Sequence, residues 1–287
     1  MTDVGATYWK RLHRRYPDQI RAVGHPWLSE AFNRLKYTSE TETLMTLLND
    51  IPDESGAGNP FSVFDVGAGN GYWTRVFSRG FSRRGKRVQC TALDVSQDAL
   101  DALKLRQPGV ETICADLKSI LPDAFQDRFD LVASLYCLHH LVRTSDFFNA
   151  LNFAARSVKS KGFLVLMDPI LTMPYSRFDA FEFKTWKGNG VPRHLYLIDD
   201  LLSGHGFVRC RMVPAVSFLL NGPIEARGFF QHTLLRGIWI IIQEVGSSQK
   251  LTLKSANHLL RWDRWLKRTR RAYSSSLCLY RKTGDPT

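Results

Sequence analysis

The chain has 287 residues, 44% of them hydrophobic, and sets 39 Lys and Arg against 27 Asp and Glu for a formal charge of +12. That length allows one large core, or one core with an appended cap, and the basic surface fits an acidic small molecule, a nucleic acid or an anionic membrane without choosing among them. Five widely spaced cysteines, an odd number without C-x-x-C or His-pair spacing, argue against a disulfide framework or a metal site, and no run approaches the ~18 apolar residues of a membrane span.

In chain order, the first sixty residues predict helices at "YWKRLHRRY" and "SEAFNRLKYTSETETLMTLLND", then a linker "PDESGAGNP", together a candidate lid over residues 1–60. The opening segment lacks the apolar centre of a secretory signal, and a cytoplasmic protein is expected. From Phe61 short apolar runs alternate with helical stretches, as in a parallel α/β sheet. The runs are "SVFDV", "RVQCTALDV", "VETICAD", "DLVASLY" and "GFLVLMD". The helices are "GYWTRVFSRG", "SQDALDALKLRQ" capped by Ser96, and "SDFFNALNFAARSVKSKG" capped by Ser145 and stopped at Gly162. A further helix, "IDDLLSGHG", leads to a sixth strand near "FVRCRMVPAVSF", and "SSSLCLYRK" supplies a seventh. The core thus covers residues 61–218 and 274–287. Between its last two strands a helical insertion occupies residues 219–273, far longer than a hairpin requires.

Within "FDVGAGNGYW" the glycines stand at 67, 69 and 71, and Tyr72 occupies the place of the last glycine in the dinucleotide fingerprint. Glycines after a first strand bring backbone N–H groups close to a ligand. Asp65, Asp94 and Asp116 fall at the C-terminal ends of three successive strands and should line one crevice. There Asp94 can accept the hydroxyls of a ribose and Asp116 can accept from an adenine amino group.

Those motifs resemble class I S-adenosylmethionine-dependent methyltransferases, above all the small-molecule branch that includes quinone-biosynthesis-type enzymes. "VFDVGAGNGYW" is similar to the family's first motif, "LDVS" and "CADL" to its second and third, "FDLVASLYCLHHL" to its fourth-strand segment and "GFLVLMD" to its fifth strand. The resemblance implies an α/β, doubly wound, seven-strand Rossmann-like sheet whose last strand runs antiparallel between the fifth and sixth. S-adenosyl-L-methionine is the implied cofactor. It places Asp65 near the methionine ammonium and Gly67, Ala68, Gly69, Asn70 and Gly71 beside the methionine portion. Asp94 and Val95 go to the ribose, Asp116 and Leu117 to the adenine, and Ser134 to the end of the fourth strand.

Methyl transfer from a sulfonium is an in-line displacement that mainly requires positioning and exclusion of water. For a hydroxyl acceptor a general base helps, and His140, His139 and His194 are the candidates. No Asn/Asp-Pro-Pro-aromatic stretch follows the fourth strand, and no Pro-Cys nucleophile appears, so nucleic-acid amino and pyrimidine methylation are not expected. The expected partner is a small-molecule acceptor held between the N-terminal helices, the loop 171–196 and the insertion, in a monomer or homodimer with no specific nucleic acid. A basic, tryptophan-bearing helix, "LKSANHLLRWDRWLKRTRRAY", allows peripheral membrane contact. The rival readings are a nicotinamide oxidoreductase and an RNA-binding or RNA-modifying protein.

Overall fold

The computed structural model describes residues 4–17, 19–52, 59–119, 123–173, 190–247 and 251–284. Helices α1 (Val4–Arg15) and α2 (Glu30–Leu48) precede the sheet, separated by a 3-10 turn at Ile20–Ala22. The alternating core follows: β1 (Phe61–Val66), α3 (Tyr72–Ser82), β2 (Val88–Asp94), α4 (Gln97–Arg106), β3 (Glu111–Cys114), β4 (Phe129–Leu135), α5 (Thr144–Ser157) and β5 (Val158–Asp168). A two-residue pair, β6 (Ile170–Leu171) with β7 (Arg193–His194), leads to α6 (Leu195–Ser203) and β8 (Phe207–Pro214). The insertion holds α7 (Phe218–Asn221), α8 (Phe229–Ser247) and α9 (Leu253–Arg268), and β9 (Ser276–Lys282) ends the core.

The seven strands run in the order β3-β2-β1-β4-β5-β9-β8, with β9 antiparallel to both neighbours and the other pairs parallel. Both faces are covered, because alternate residues of each central strand point to opposite sides. Val63, Leu131, Ala133, Val165, Met167 and Leu279 pack under α2, α3 and α4. Phe64, Val132, Leu164, Leu166 and Tyr280 pack under α5 and α6.

The expected sheet is present, and two boundaries differ. The fifth helix begins at Thr144 with Arg143 as an uncapped N-cap, so Ser145 lies inside the first turn and caps nothing. That helix also stops at Ser157, well before Gly162, because Val158 already pairs with Phe129. Lys159 Nζ then reaches Asp130 of β4 at 2.9 Å, tying the segment to the strand edge. Ser96 caps α4 as expected, its side chain accepting from the Ala99 N–H.

The first sixty residues divide into two parts. Helix α2 is built into the body: Leu44, Leu47 and Leu48 face the sheet core, while Phe32 and Leu35 meet Trp239 of α8 and Leu259 and Leu260 of α9. Buried Asp263 of α9 locks this layer, accepting the Ser39 hydroxyl at 2.5 Å and the Ser217 N–H at 2.7 Å. Over the carboxyl ends of the strands lie Trp9 and His13 of α1, Val23 after the 3-10 turn, and Lys36 and Tyr37 of α2. Among the described residues no helix is long and apolar enough to cross a membrane.

Candidate active site

The β1–α3 turn is the floor of the site. Gly67, Gly69 and Gly71 all take left-handed φ values, 79°, 53° and 80°, which side-chain-bearing residues rarely adopt. A Cβ on Gly67 would sit 2.3 Å from Cys137 Sγ, and one on Gly69 would sit 2.6 Å from Val23 Cγ1. The Gly69 N–H donates to Asp94 Oδ2 at 2.8 Å and the Ser96 N–H to Asp94 Oδ1 at 2.9 Å. These bonds fix the carboxylate at the end of β2 with lone pairs left for a ligand.

A cavity of about 890 Å³ opens above this turn. Gly67, Ala68, Gly69, Asp94, Val95, Asp116 and Leu117 line it, together with Cys137 and His140 from beyond β4 and Trp9, His13 and Val23 from above. The acids and the unobstructed glycine backbone suit a compact amino-acid nucleoside. Tyr72, also on the lining, occupies the place where a pyrophosphate site needs a third glycine. The residues present therefore fit S-adenosylmethionine.

Four cofactor candidates lie off the cavity surface. Asp65 is buried behind the turn and accepts from Thr74 Oγ1 at 2.6 Å. Burial, with the negative Asp94 adding to it, pushes its carboxyl up to about 7. Asn70 donates from Nδ2 to the Gln19 carbonyl at 3.3 Å, tying the turn to the segment after α1. Gly71 faces Leu103 of α4 and Gln107 just after it, and its carbonyl accepts from Gln107, so it supports the turn from outside. Ser134 is a fully buried strand position between Val66 and Leu166 and does not reach the surface; the residues after it, Leu135 to Cys137, do.

A second cavity, about 1020 Å³, adjoins the first and shares Trp9, Val23, Tyr136 and His140 with it. His139 lines this second space, and its Nδ1 is held 2.6 Å from Asp168 Oδ1 at the end of β5. Burial raises the Asp168 carboxyl to about 8, while burial and the charge of Lys36 lower the His139 imidazole to about 3. The pair therefore carries one proton and no net charge between those limits, and above about pH 8 it is a carboxylate beside a neutral imidazole. His140 stands at the boundary, its ring edge-on to Trp9 at 4.7 Å. His194 lines neither cavity. It lies on β7 with its ring stacked on Tyr196 at 5.2 Å, so the structure does not bring it to the other two histidines.

Two pairs beside the second cavity, Lys36–Glu40 and His25–Asn221, were not picked out from the sequence, and neither was Asp168 as a partner for His139. Lys36 and Glu40 of α2 form a fully buried ion pair at 2.8 Å, and Tyr136 donates its hydroxyl to the same Glu40 Oε1 at 2.6 Å. Tyr136 pays for this place with φ 56°, a conformation that costs a non-glycine residue about 1–3 kcal/mol. Its N–H is fixed by the Met167 carbonyl at 2.6 Å. His25 Nε2 meets Asn221 Oδ1 at 3.0 Å across 196 positions, joining the segment before α2 to the start of the insertion. Asp168 could have been found by the edge rule that found Asp94, and Lys36–Glu40 by its i,i+4 spacing. His25–Asn221 carries no local signal. Most of the loop proposed for the acceptor, residues 174–189, lies outside the described residues. Among the described residues no group of three or more His, Cys, Asp or Glu could hold a metal ion.

Comparison with known proteins agrees with this geometry. Residues 64–166 match a methyltransferase domain family. No curated protein matches the chain. Among solved structures, a methyltransferase in complex with the Haloferax volcanii Trm112 methyltransferase activator superposes with TM-score 0.54 at 14% identity, over 98% of this chain and 96% of that one. The N-methyltransferase NodS of Bradyrhizobium japonicum WM9, solved with S-adenosyl-L-homocysteine, gives 0.51 at 13%, over 98% and 99%. An S-adenosylmethionine dependent methyltransferase from Mesorhizobium loti gives 0.51 at 16%, over 84% and 97%. At such identities the likeness is one of fold, and none of the comparisons supports the oxidoreductase or RNA readings. The methyltransferase domain match, over residues 64–166, spans the glycine turn and the first five strands, and with this geometry it supports an S-adenosylmethionine-dependent methyltransferase.

Proposed function

We propose that the chain methylates the hydroxyl of a small-molecule acceptor bound in the second cavity, with His139 as general base. The observation that carries this reading is the adjacency of the two cavities, which meet at Trp9, Tyr136 and His140, with the His139–Asp168 pair on the acceptor side. When bound, the cofactor supplies an electrophilic methyl group. The chain's own work is then to hold a hydroxyl in line, keep water out, and receive its proton.

With Nδ1 engaged by Asp168, Nε2 is the nitrogen left to face the acceptor. Transfer of the hydroxyl proton to Nε2 forms an imidazolium that the Asp168 carboxylate stabilises. Trp9, Tyr136 and His140 form an aromatic collar at the junction, suited to a passing sulfonium through cation–π attraction. Within this reading the acceptor is a hydroxyl compound of secondary-metabolite, sugar or quinone biosynthesis, the last being the branch the sequence resembles.

We also assign the outer face of the insertion to peripheral contact with an anionic membrane. Phe230, Leu234, Ile241 and Val245 are exposed along one stripe of α8, and Trp262 and Trp265 are exposed on α9 among Arg261, Arg264 and Arg268. Apolar side chains rimmed by cations fit a bilayer interface.

Incubation with methyl-labelled cofactor and a panel of phenols, sugars, amines and carboxylates tests the central reading. Label on hydroxyl oxygens supports it. Label confined to amines overturns the O-directed assignment.

A further inference from the structure

We infer that His13, on helix α1, is a cofactor-binding residue that hydrogen-bonds a ribose hydroxyl opposite Asp94. No sequence motif draws attention to His13, and the mechanism above does not use it. Three observations do.

The first is burial without satisfaction. His13 is 3% exposed, yet neither ring nitrogen makes a hydrogen bond of full geometry, with only a loose approach to the Ala22 carbonyl. A buried polar group left in that state is costly, so it marks a place where a ligand atom completes the structure. The second is position. His13 lines the cofactor cavity beside Gly69 and Asp94. A Cβ built on Gly69 would lie 3.8 Å from His13 Nε2, so this nitrogen faces the glycine whose N–H holds Asp94.

The third is complementarity. Gly69 and Ser96 each donate one N–H to Asp94, and that carboxylate is an acceptor only. A ribose hydroxyl that donates to Asp94 keeps lone pairs on its oxygen, and these need a donor from another direction. An imidazole N–H above the turn supplies one. Burial lowers the His13 imidazole pKa, only partly offset by the negative charges of Asp94 and Asp98, so the neutral ring presents a single N–H donor.

Helix α1 is held in register for this role. Arg14 pairs with Asp98 of α4 at 3.4 Å, and Trp9, one turn before His13, packs on His140. The cofactor is thus gripped from β2 below and from α1 above, so α1 covers the site by contact with the ligand as well as by apolar packing.

Isothermal calorimetry on the full chain tests this with S-adenosylhomocysteine and its 2′-deoxy and 3′-deoxy analogues as probes. His13→Ala should weaken S-adenosylhomocysteine roughly three- to tenfold, the value of one neutral hydrogen bond. The same substitution should change the affinity of one deoxy analogue by less than about twofold, because that analogue lacks the contacted oxygen. His13→Gln, which keeps a side-chain N–H donor, should restore most of the affinity. Should His13→Ala fail to fold, His13→Phe against His13→Gln carries the same comparison. Unchanged affinity for S-adenosylhomocysteine, or equal losses for all three probes, overturns the inference and leaves His13 a packing residue. Since no acceptor enters the measurement, its outcome is independent of the O-methylation proposal.

Discussion

His139 Nδ1 and Asp168 Oδ1 lie 2.6 Å apart, the histidine on the 3-10 turn just beyond β4 and the carboxyl at the end of the adjacent strand β5, beside the second cavity. Burial raises the Asp168 carboxyl to about 8 and lowers the His139 imidazole to about 3, so the pair is net neutral from about pH 3 up to about pH 8. Above it, His139 is a neutral imidazole with Nδ1–H donating to a carboxylate and Nε2 free to accept. Turnover on a hydroxyl acceptor should therefore rise about tenfold per pH unit up to about 8 and then level. His139→Ala should lower kcat by roughly 10²–10⁴, with S-adenosylhomocysteine affinity within a few-fold of the parent. Asp168→Asn should also lower kcat, because an amide N–H presented to Nδ1 selects the tautomer with Nε2 already protonated. A flat pH profile with near-parental turnover in both variants would place catalysis in positioning alone.

Asp94 is expected to matter more for affinity than a single ligand contact would suggest, since it also holds the Gly69 and Ser96 N–H groups in place. Loss of a charged acceptor is worth roughly 1.5–3 kcal/mol. Asp94→Ala should accordingly weaken S-adenosylhomocysteine at least ten- to a hundredfold. Gly69→Val should abolish binding and lower the unfolding temperature, because φ is 53° there and a Cβ would meet Val23 at 2.6 Å. Calorimetry and thermal unfolding of the two variants check both statements, and parental affinity in folded Asp94→Ala would remove that residue from the site.

Asp65 offers a test by pH. Its folded-state carboxyl is raised from 3.8 to about 7, so the unfolded chain releases this proton first and stability falls as pH climbs between those values. The penalty is fully present above about pH 7 and absent below about pH 4, with a ceiling of about 4 kcal/mol. Asp65→Asn, uncharged at every pH, should unfold at a higher denaturant concentration than the parent at pH 8, with the gap closing by pH 4–5. A constant gap between pH 4 and 8 would show that Asp65 is not titrating in this way. If Asp65 also faces the cofactor ammonium, the same variant should bind S-adenosylhomocysteine less tightly at pH 8.

The cofactor half of the site was legible because a parallel sheet aligns the ends of its strands. Asp94 and Asp116 needed only the strand pattern and the glycine turn to be placed together, and the antiparallel last strand followed from the family resemblance. The acceptor half was less so. His25 with Asn221, and Glu40 with Tyr136, meet across 196 and 96 positions, and no local period encodes such a meeting. His194 was a candidate from its residue type and its place beside the fifth-strand loop, and it lies on β7, paired with β6 and stacked on Tyr196. Ser134 sits one residue short of the strand end, and the period of two turns its side chain to the sheet face covered by α5 and α6, beside Val66 and Leu166.

The insertion demands a gentler test than excision. Asp263 and Lys267 hold Ser39 and Thr43 of α2, so removing α8 and α9 would strand buried polar groups and expose Phe32 and Leu35. Point substitutions on the outer face avoid this, because Phe230 is 88% and Ile241 66% exposed. The parent is expected to co-sediment with anionic phosphatidylserine-rich vesicles at low salt. Binding should weaken as salt screens the α9 arginines. The double substitution of Phe230→Glu and Ile241→Glu should abolish pelleting, while thermal unfolding and S-adenosylhomocysteine affinity stay at parental values. If the stripe instead joins two copies of the chain, the parent will ignore vesicles and light scattering will show its mass halve in the double variant. Parent protein that stays in the supernatant with vesicles at low salt removes the membrane assignment.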